Sequence, residues 1–223
     1  MAGKRARRQQ YQDYVIRDGR LIGEFEEMYR DHQDPWQQAQ LNALESEKSV
    51  GISLAKRLGL FCGVKKVMEI GCGFGHYTQR FSEIGFETIG IDISKTAIHK
   101  ARELHPKCRF EVGQINDYSS LKKFSPDLIV MSEITWYILE DLKAFLDFLR
   151  RDMPHVYIIH ILTTYPSGEQ KYGHEYFTNL SEIKLFFNML YIESGEVYYK
   201  NKCRPVWFLG AFDKTQLTSW PGQ

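Results

Sequence analysis

Apolar residues follow two rhythms along this chain, and the change between them divides it. From Leu21 to Leu60 the residues favour helix, and Leu41, Leu44, Ile52, Ala55 and Leu58 keep a roughly helical spacing. Asp34-Pro35-Trp36 punctuates the stretch: Pro35 suits the first turn of a second helix, where its missing N–H would be unpaired anyway, with Asp34 as N-cap. Past Leu60, short β-rich runs alternate with helical segments. Strands are predicted at Lys66–Ile70, Thr88–Ile93, Arg109–Val112, Leu128–Met131 and Val156–Ile161, and helices at His76–Ile84, Lys95–Leu104 and Leu139–Arg150. Continuous apolar strands spaced by helices indicate βαβ units and a parallel sheet covered on both faces. After a helix over Glu182–Leu190, the runs Tyr191–Tyr199 and Val206–Phe212 are joined through Asn201-Lys-Cys-Arg-Pro205 and predict an antiparallel pair at the sheet edge. The fold class is α/β: one domain with a helical N-terminal cap.

The length of 223 residues is enough to bury roughly 70–75% of the unfolded chain's surface, so the core needs no disulfide or metal to hold it. With 29 Lys+Arg against 28 Asp+Glu, the net charge of +1 disfavours nucleic-acid binding through bulk electrostatics. No apolar run reaches the roughly 18 residues of a membrane span. Cys62, Cys72, Cys108 and Cys203 are scattered without a Cys-x-x-Cys pair, so no zinc site is expected and a reducing cytoplasm is the simplest compartment. The first ten residues carry four positive charges and lack the apolar stretch of a secretory signal; a basic, flexible tail is expected over residues 1–20.

The most informative segment is Val67-Met-Glu-Ile-Gly-Cys-Gly-Phe-Gly-His76, where a strand runs into three alternating glycines and then a helix. Alternating glycines permit a tight turn and let backbone approach a ligand where a Cβ would collide. A loop at the carboxyl end of the first strand of an open α/β sheet is where nucleotide-like ligands bind. A dinucleotide fingerprint would need its third glycine at position 76, which is His76, and the Gly-Lys-Ser/Thr of a P-loop is absent. The next strand ends in Gly90-Ile-Asp-Ile-Ser94, and a carboxylate there can accept hydrogen bonds from both hydroxyls of a ribose.

At these residues the chain resembles the class I S-adenosylmethionine-dependent methyltransferases, over about Val67 to Ile161. Glu69, Gly71, Gly73 and Gly75 match the family's first motif, and Asp92 its ribose-binding acid. Phe110-Glu-Val-Gly-Gln-Ile-Asn116 looks like the adenine-holding segment, with Gln114 where the family usually has an acid. Pro126 to Tyr137 follows the fourth-strand pattern, with Ser132 and Glu133 at its mouth. The resemblance implies a Rossmann-like, mostly parallel seven-stranded sheet with an antiparallel edge hairpin and a helical cap over residues 21–60. Residues 61–223 would form the catalytic domain, with a substrate loop over 162–180. The implied cofactor is S-adenosylmethionine, leaving as S-adenosylhomocysteine. Its implied contacts are Glu69, Gly71, Cys72, Gly73, Phe74, Gly75, Asp92, Ile93, Gln114, Ile115, Asn116 and Ser132.

Methyl transfer needs a nucleophile placed about 3 Å from an already electrophilic methyl carbon, with water excluded. A base helps only where the attacking atom must lose a proton. Glu133, His160 and His174 are the expected catalytic candidates. Glu133 reads equally as an acid beside a helix N-terminus, and His160 as a satisfied core residue. Tyr14, Tyr29, Trp36, Tyr137, Tyr165, Tyr172 and Tyr176 are candidates to line the acceptor. No metal is expected. The residues after the fourth strand, Ser132-Glu133-Ile134-Thr135, lack the Asn/Asp-Pro-Pro-aromatic signature of amino-directed DNA methyltransferases, and no Pro-Cys occurs. Phe25-Glu-Glu-Met-Tyr-Arg30 with Asp34-Pro-Trp36 is similar to the entrance segment of N-methyltransferases acting on amino sugars, including the rhizobial nodulation enzymes. The expectation is methylation at N or O of a small polar metabolite, such as an amino sugar or sugar derivative, by a monomer or homodimer with no membrane partner. A protein or RNA methyltransferase recruited through the basic tail and a non-catalytic cofactor-binding module are the alternatives.

Overall fold

The structure is a computed structural model and describes residues 10–41, 45–165, 168–199, 203–217 and 220. The basic segment 1–9, Leu44, residues 166–167 of the expected substrate loop and residues 200–202 of the hairpin connection lie outside the described residues.

The N-terminal region begins with a 3-10 turn over Tyr11–Tyr14 and a two-stranded antiparallel ribbon, β1 (Ile16–Arg17) and β2 (Arg20–Leu21). Asp18 and Gly19 turn the ribbon with φ of 52° and 70°, the left-handed pair that a tight hairpin demands. Residues 11–20 therefore depart from the flexible tail expected of them. Tyr14 and Val15 are buried, and with Met28, Tyr29 and Phe74 they form a small apolar cluster. Helices α1 (Phe25–Asp31), α2 (Gln38–Leu41) and α3 (Ser46–Cys62) follow. Asp34 does cap α2, accepting from the N–H groups of Gln38 at 2.9 Å and Ala39 at 3.2 Å. That helix starts at Gln38, after Gln37 at φ 50°, so Pro35 sits in the preceding turn and not in the helix.

The body runs β3 (Lys66–Ile70), α4 (His76–Glu83), β4 (Glu87–Asp92), α5 (Lys95–Leu104), β5 (Arg109–Val112), α6 (Ser119–Phe124) and β6 (Leu128–Ser132). It continues through α7 (Leu139–Asp152), β7 (Tyr157–Thr164), α8 (Leu180–Phe187), β8 (Leu190–Glu196) and β9 (Arg204–Ala211). The seven-stranded sheet has the order β5-β4-β3-β6-β7-β9-β8; the first five are parallel and β9 pairs antiparallel with both β7 and β8.

Period-two alternation sends Met68 and Ile70 to one face of the sheet and Val67 to the other. The first face is covered by α7, whose Leu142, Phe145, Leu146 and Leu149 recur at helical spacing and are buried; each contributes about 1.5–3 kcal/mol by leaving water. On the opposite face α3 and α4 pack Leu54, Leu58, Tyr77 and Phe81 against Val130 and Ile159. From β3 the chain steps to β4 on one side, while β6 lies on the other, so a crevice opens beyond the carboxyl ends of these strands.

Candidate active site

The glycine loop turns at that crevice with φ of 72°, 53° and 77° at Gly71, Gly73 and Gly75. A Cβ on Gly75 would meet the Phe110 ring at 2.4 Å, so α4 can lie this close to β5 only with glycine there. Asp92, at the end of β4, ties the loop to its own strand: Gly73 N–H donates to Oδ2 and Ser94 N–H to Oδ1, both at 2.9 Å. Each carboxylate oxygen keeps a second lone pair for an outside donor. Burial pushes the Asp92 carboxyl up to about 6 against the opposing pull of these two bonds. Glu69, two residues before Gly71, accepts from the Thr78 hydroxyl of α4, and burial pushes it up to about 7.

At the other end, Glu133 follows β6 with φ of 58°, a left-handed conformation that costs a non-glycine residue on the order of 1–2 kcal/mol. It is held there by β7: Thr163 N–H donates to Oε2 and the Thr163 hydroxyl to Oε1, both at 3.0 Å. Burial pushes this carboxyl up to about 7, with the Thr163 bonds pulling the other way.

Between these ends lies a cavity of about 390 Å³. Of the expected cofactor contacts, Glu69, Gly71, Cys72, Asp92, Ile93, Gln114, Ile115 and Ser132 line it. Gly73, Phe74, Gly75 and Asn116 do not. Gly73 lies under the Gln38 amide and the Tyr29 hydroxyl, Phe74 packs beneath Tyr29, Gly75 faces Phe110, and Asn116 is exposed outside it. Of the expected acceptor contacts, Tyr29, Trp36, Tyr137 and Tyr165 line the cavity.

The remaining candidates are elsewhere. Tyr14 is turned into the N-terminal cluster and donates to Asp31 Oδ2 at 2.7 Å. Tyr172 and Tyr176 pack against the main core. His174 stands in solvent beside Glu175, 3.6 Å away, and is therefore no cavity residue. His160 requires the same correction. It points from β7 into the core, stacked on Phe208 with centroids 4.8 Å apart, and its Nε2 lies 2.7 Å from Thr135 Oγ1. Burial pushes its imidazole down to about 3, so it stays neutral.

Among the wall residues that composition and motif did not announce are Gln38, Lys48 and Asp141. Gln38 Oε1 accepts from Phe74 N–H at 2.8 Å, pinning the cap to the glycine loop. Glu26 adds a second pin, accepting from the Ser94 hydroxyl at 2.6 Å and from the N–H and hydroxyl of Thr96 at 3.1 and 2.7 Å. For the cap, the local signals were the entrance segment from Phe25 to Trp36 and the amide-rich run that follows it. Among the described residues no group of three metal-ligating side chains comes together, and no helix is long and apolar enough to cross a membrane.

An adenosyl sulfonium fits these walls chemically. Gly113 leaves open space on the cavity wall beside Ile91, since a Cβ there would find only Ile91 Cβ at 4.0 Å, and a flat adenine ring would fit that space. Asp92 offers acceptors for paired hydroxyls. Ser132 Oγ is buried on the wall with no hydrogen-bond partner among the described residues, free for a polar ligand atom.

Comparison with known proteins agrees. Residues 67–153 match the family described as methyltransferase domain. Among solved structures, a TehB-like SAM-dependent methyltransferase from Corynebacterium glutamicum superposes with a TM-score of 0.59 at 17% identity, covering 83% of this chain and 98% of that one. A Pyrococcus horikoshii protein gives 0.58 at 19% identity, covering 84% and 99%. The N-methyltransferase NodS from Bradyrhizobium japonicum, solved with S-adenosylhomocysteine, gives 0.58 at 18% identity, covering 80% and 93%. No curated protein matches the sequence. Residues 67–153 are therefore a methyltransferase domain, on a fold shared with S-adenosylmethionine-dependent methyltransferases, which supports S-adenosylmethionine as the cofactor.

Proposed function

We propose that the protein methylates N or O of a small polar metabolite that enters beneath the N-terminal aromatic cap. One observation carries this reading: the cavity runs from Asp92 to Glu133, and beyond the cofactor groups its walls are Phe25, Trp36, Tyr137 and Tyr165 around a carboxylate. The cofactor supplies a methyl group on positively charged sulfur. The chain's own residues do the rest. Asp92 binds the ribose hydroxyls, Glu69 and Ser132 face the sulfonium region, and Ile93, Gln114 and Ile115 bound the adenine. The cap, pinned by Gln38 and Glu26, keeps water from the methyl. Glu133 holds the acceptor and receives a proton where one must leave. An enclosed wall of aromatic rings suits a small molecule better than a polymer chain. The similarity of the entrance segment Phe25–Trp36 to that of amino-sugar N-methyltransferases supports an amino sugar or sugar derivative. Because Cys62, Cys72 and Cys108 form no disulfide, a cytoplasmic setting belongs to the same proposal.

The test is release of S-adenosylhomocysteine from S-adenosylmethionine across a panel of amino sugars, nucleotide sugars and small phenols. Turnover with one class is expected. Cofactor binding without turnover on any panel member or metabolite extract would instead make the protein a binding module.

A further inference from the structure

The acceptor end of the cavity has more acid than the protein neutralises. Five carboxylates line the cavity, Glu45, Glu69, Asp92, Glu133 and Asp141, against one cationic side chain, Lys48. That ammonium sits 2.7 Å from Glu45, and its one charge also reaches Glu69 and Glu133. Glu69 is engaged by Thr78, and Asp92 by Gly73 and Ser94, at the cofactor end. Glu133 and Asp141 remain, and among the described residues neither is in an ion pair with a basic side chain.

Glu133 is also built to stay in place. A left-handed backbone presents it on the cavity wall and Thr163 fixes both oxygens, and each oxygen keeps a second lone pair for a further donor. Tyr137 and Tyr165 stand around it. After burial, the charge of Glu133 is the next largest influence raising both phenols, so both lie within its field. Phe25 and Trp36 back the Tyr137 ring, with centroids 5.4 and 5.8 Å away. A fixed carboxylate among aromatic rings is the chemistry that holds an ammonium group.

We infer that Glu133, with Tyr137, Tyr165 and Asp141, forms an ammonium-binding subsite, and that the acceptor is a primary or secondary amine bound as its cation. The inference rests on the methyltransferase reading and narrows it to nitrogen. The bound ammonium gives one proton to the Glu133 carboxylate. The freed nitrogen lone pair forms the N–C bond while the electron pair of the C–S bond leaves with sulfur. The product departs as a methylated ammonium, and Glu133 returns its proton to solvent.

Calorimetry on the protein loaded with S-adenosylhomocysteine tests this without turnover, using two probe pairs that exchange an amine for a hydroxyl: glucosamine against glucose, and tyramine against tyrosol. At least one amine should bind 10-fold or more tighter than its hydroxyl partner, on the order of the 1.4 kcal/mol that corresponds to a factor of ten. Glu133→Gln should bring that ratio close to one while binding S-adenosylhomocysteine within about threefold of wild type, which also shows that the variant is folded. If neither amine is preferred, or if the preference survives Glu133→Gln, the subsite is overturned. If the wild-type protein fails to bind S-adenosylhomocysteine, it is the broader reading that fails.

Discussion

At the β4 end of the cavity, the groups that face a ligand come from one β-strand–helix–β-strand unit, and most are backbone or short side chains locked to it. Gly71 and Asp92 are held by bonds that close within β3, the glycine loop and β4. At the β6–β7 end, the walls are assembled from distant segments: Phe25 and Trp36 from the cap, Lys48 from α3, Glu133 and Tyr137 after β6, Thr163 from β7 and Tyr165 just after it. The first end is fixed by backbone geometry and tolerates little change. The second is a meeting of side chains, so residues there can change without rebuilding the glycine loop, and with the proposed acceptor end at that place acceptor choice would change with them.

Substitutions should separate the two ends, and the largest effect belongs to the backbone. Gly75→Val would drive a branched side chain into Phe110 at a left-handed φ, so a loss of about 3 kcal/mol or more is expected in denaturant unfolding. Asp92→Ala should weaken S-adenosylhomocysteine binding roughly 10³-fold by calorimetry, because it removes charged acceptors and frees the Gly73 N–H. Unchanged affinity would remove the cofactor assignment. Glu133→Gln should lower kcat about 100-fold with cofactor affinity nearly intact, and a parallel loss of both would mean the two ends are not separable.

His160 belongs to neither end. His160→Phe should cost about 1 kcal/mol by leaving the Thr135 hydroxyl unpaired, with turnover retained. Its imidazole sits at about 3 in the fold against an ordinary 6.5, so below pH 6.5 the unfolded chain takes up a proton that the fold refuses. Stability should therefore fall as pH drops from 6.5 toward 3, and less steeply in His160→Phe when melting is followed across that window. His174→Ala, at an exposed loop position, should change turnover by less than about twofold.

The strands and helices of the body were readable because alternation and helical spacing record which face of each element is buried. β3, β5 and α5 fall on their expected residues. β7 runs on to Thr164 because β9 continues to pair with it as far as Arg204. α8 begins at Leu180 because Asn179 caps it, its side chain accepting from Glu182 N–H. The ribbon at Ile16–Leu21 was missed although Asp18-Gly19 announces its turn, since two-residue strands carry no alternation to read. His160 and His174 illustrate the limit in the site. Residue type made them candidates, but facing a cavity or facing the core depends on which way a strand or loop is turned once packed.

By itself the sequence determined the parallel sheet, the glycine loop and the carboxylate at the end of the next strand. Those features depend on spacing within a few tens of residues and on conformations that only glycine adopts easily. Tertiary structure alone decided that the cap closes over the loop through Gln38 and Glu26, that Thr163 orients Glu133, and that this carboxyl shares a cavity wall with aromatic rings. Those contacts join residues far apart in the chain, so their distances and charge balance come into being only when the elements pack.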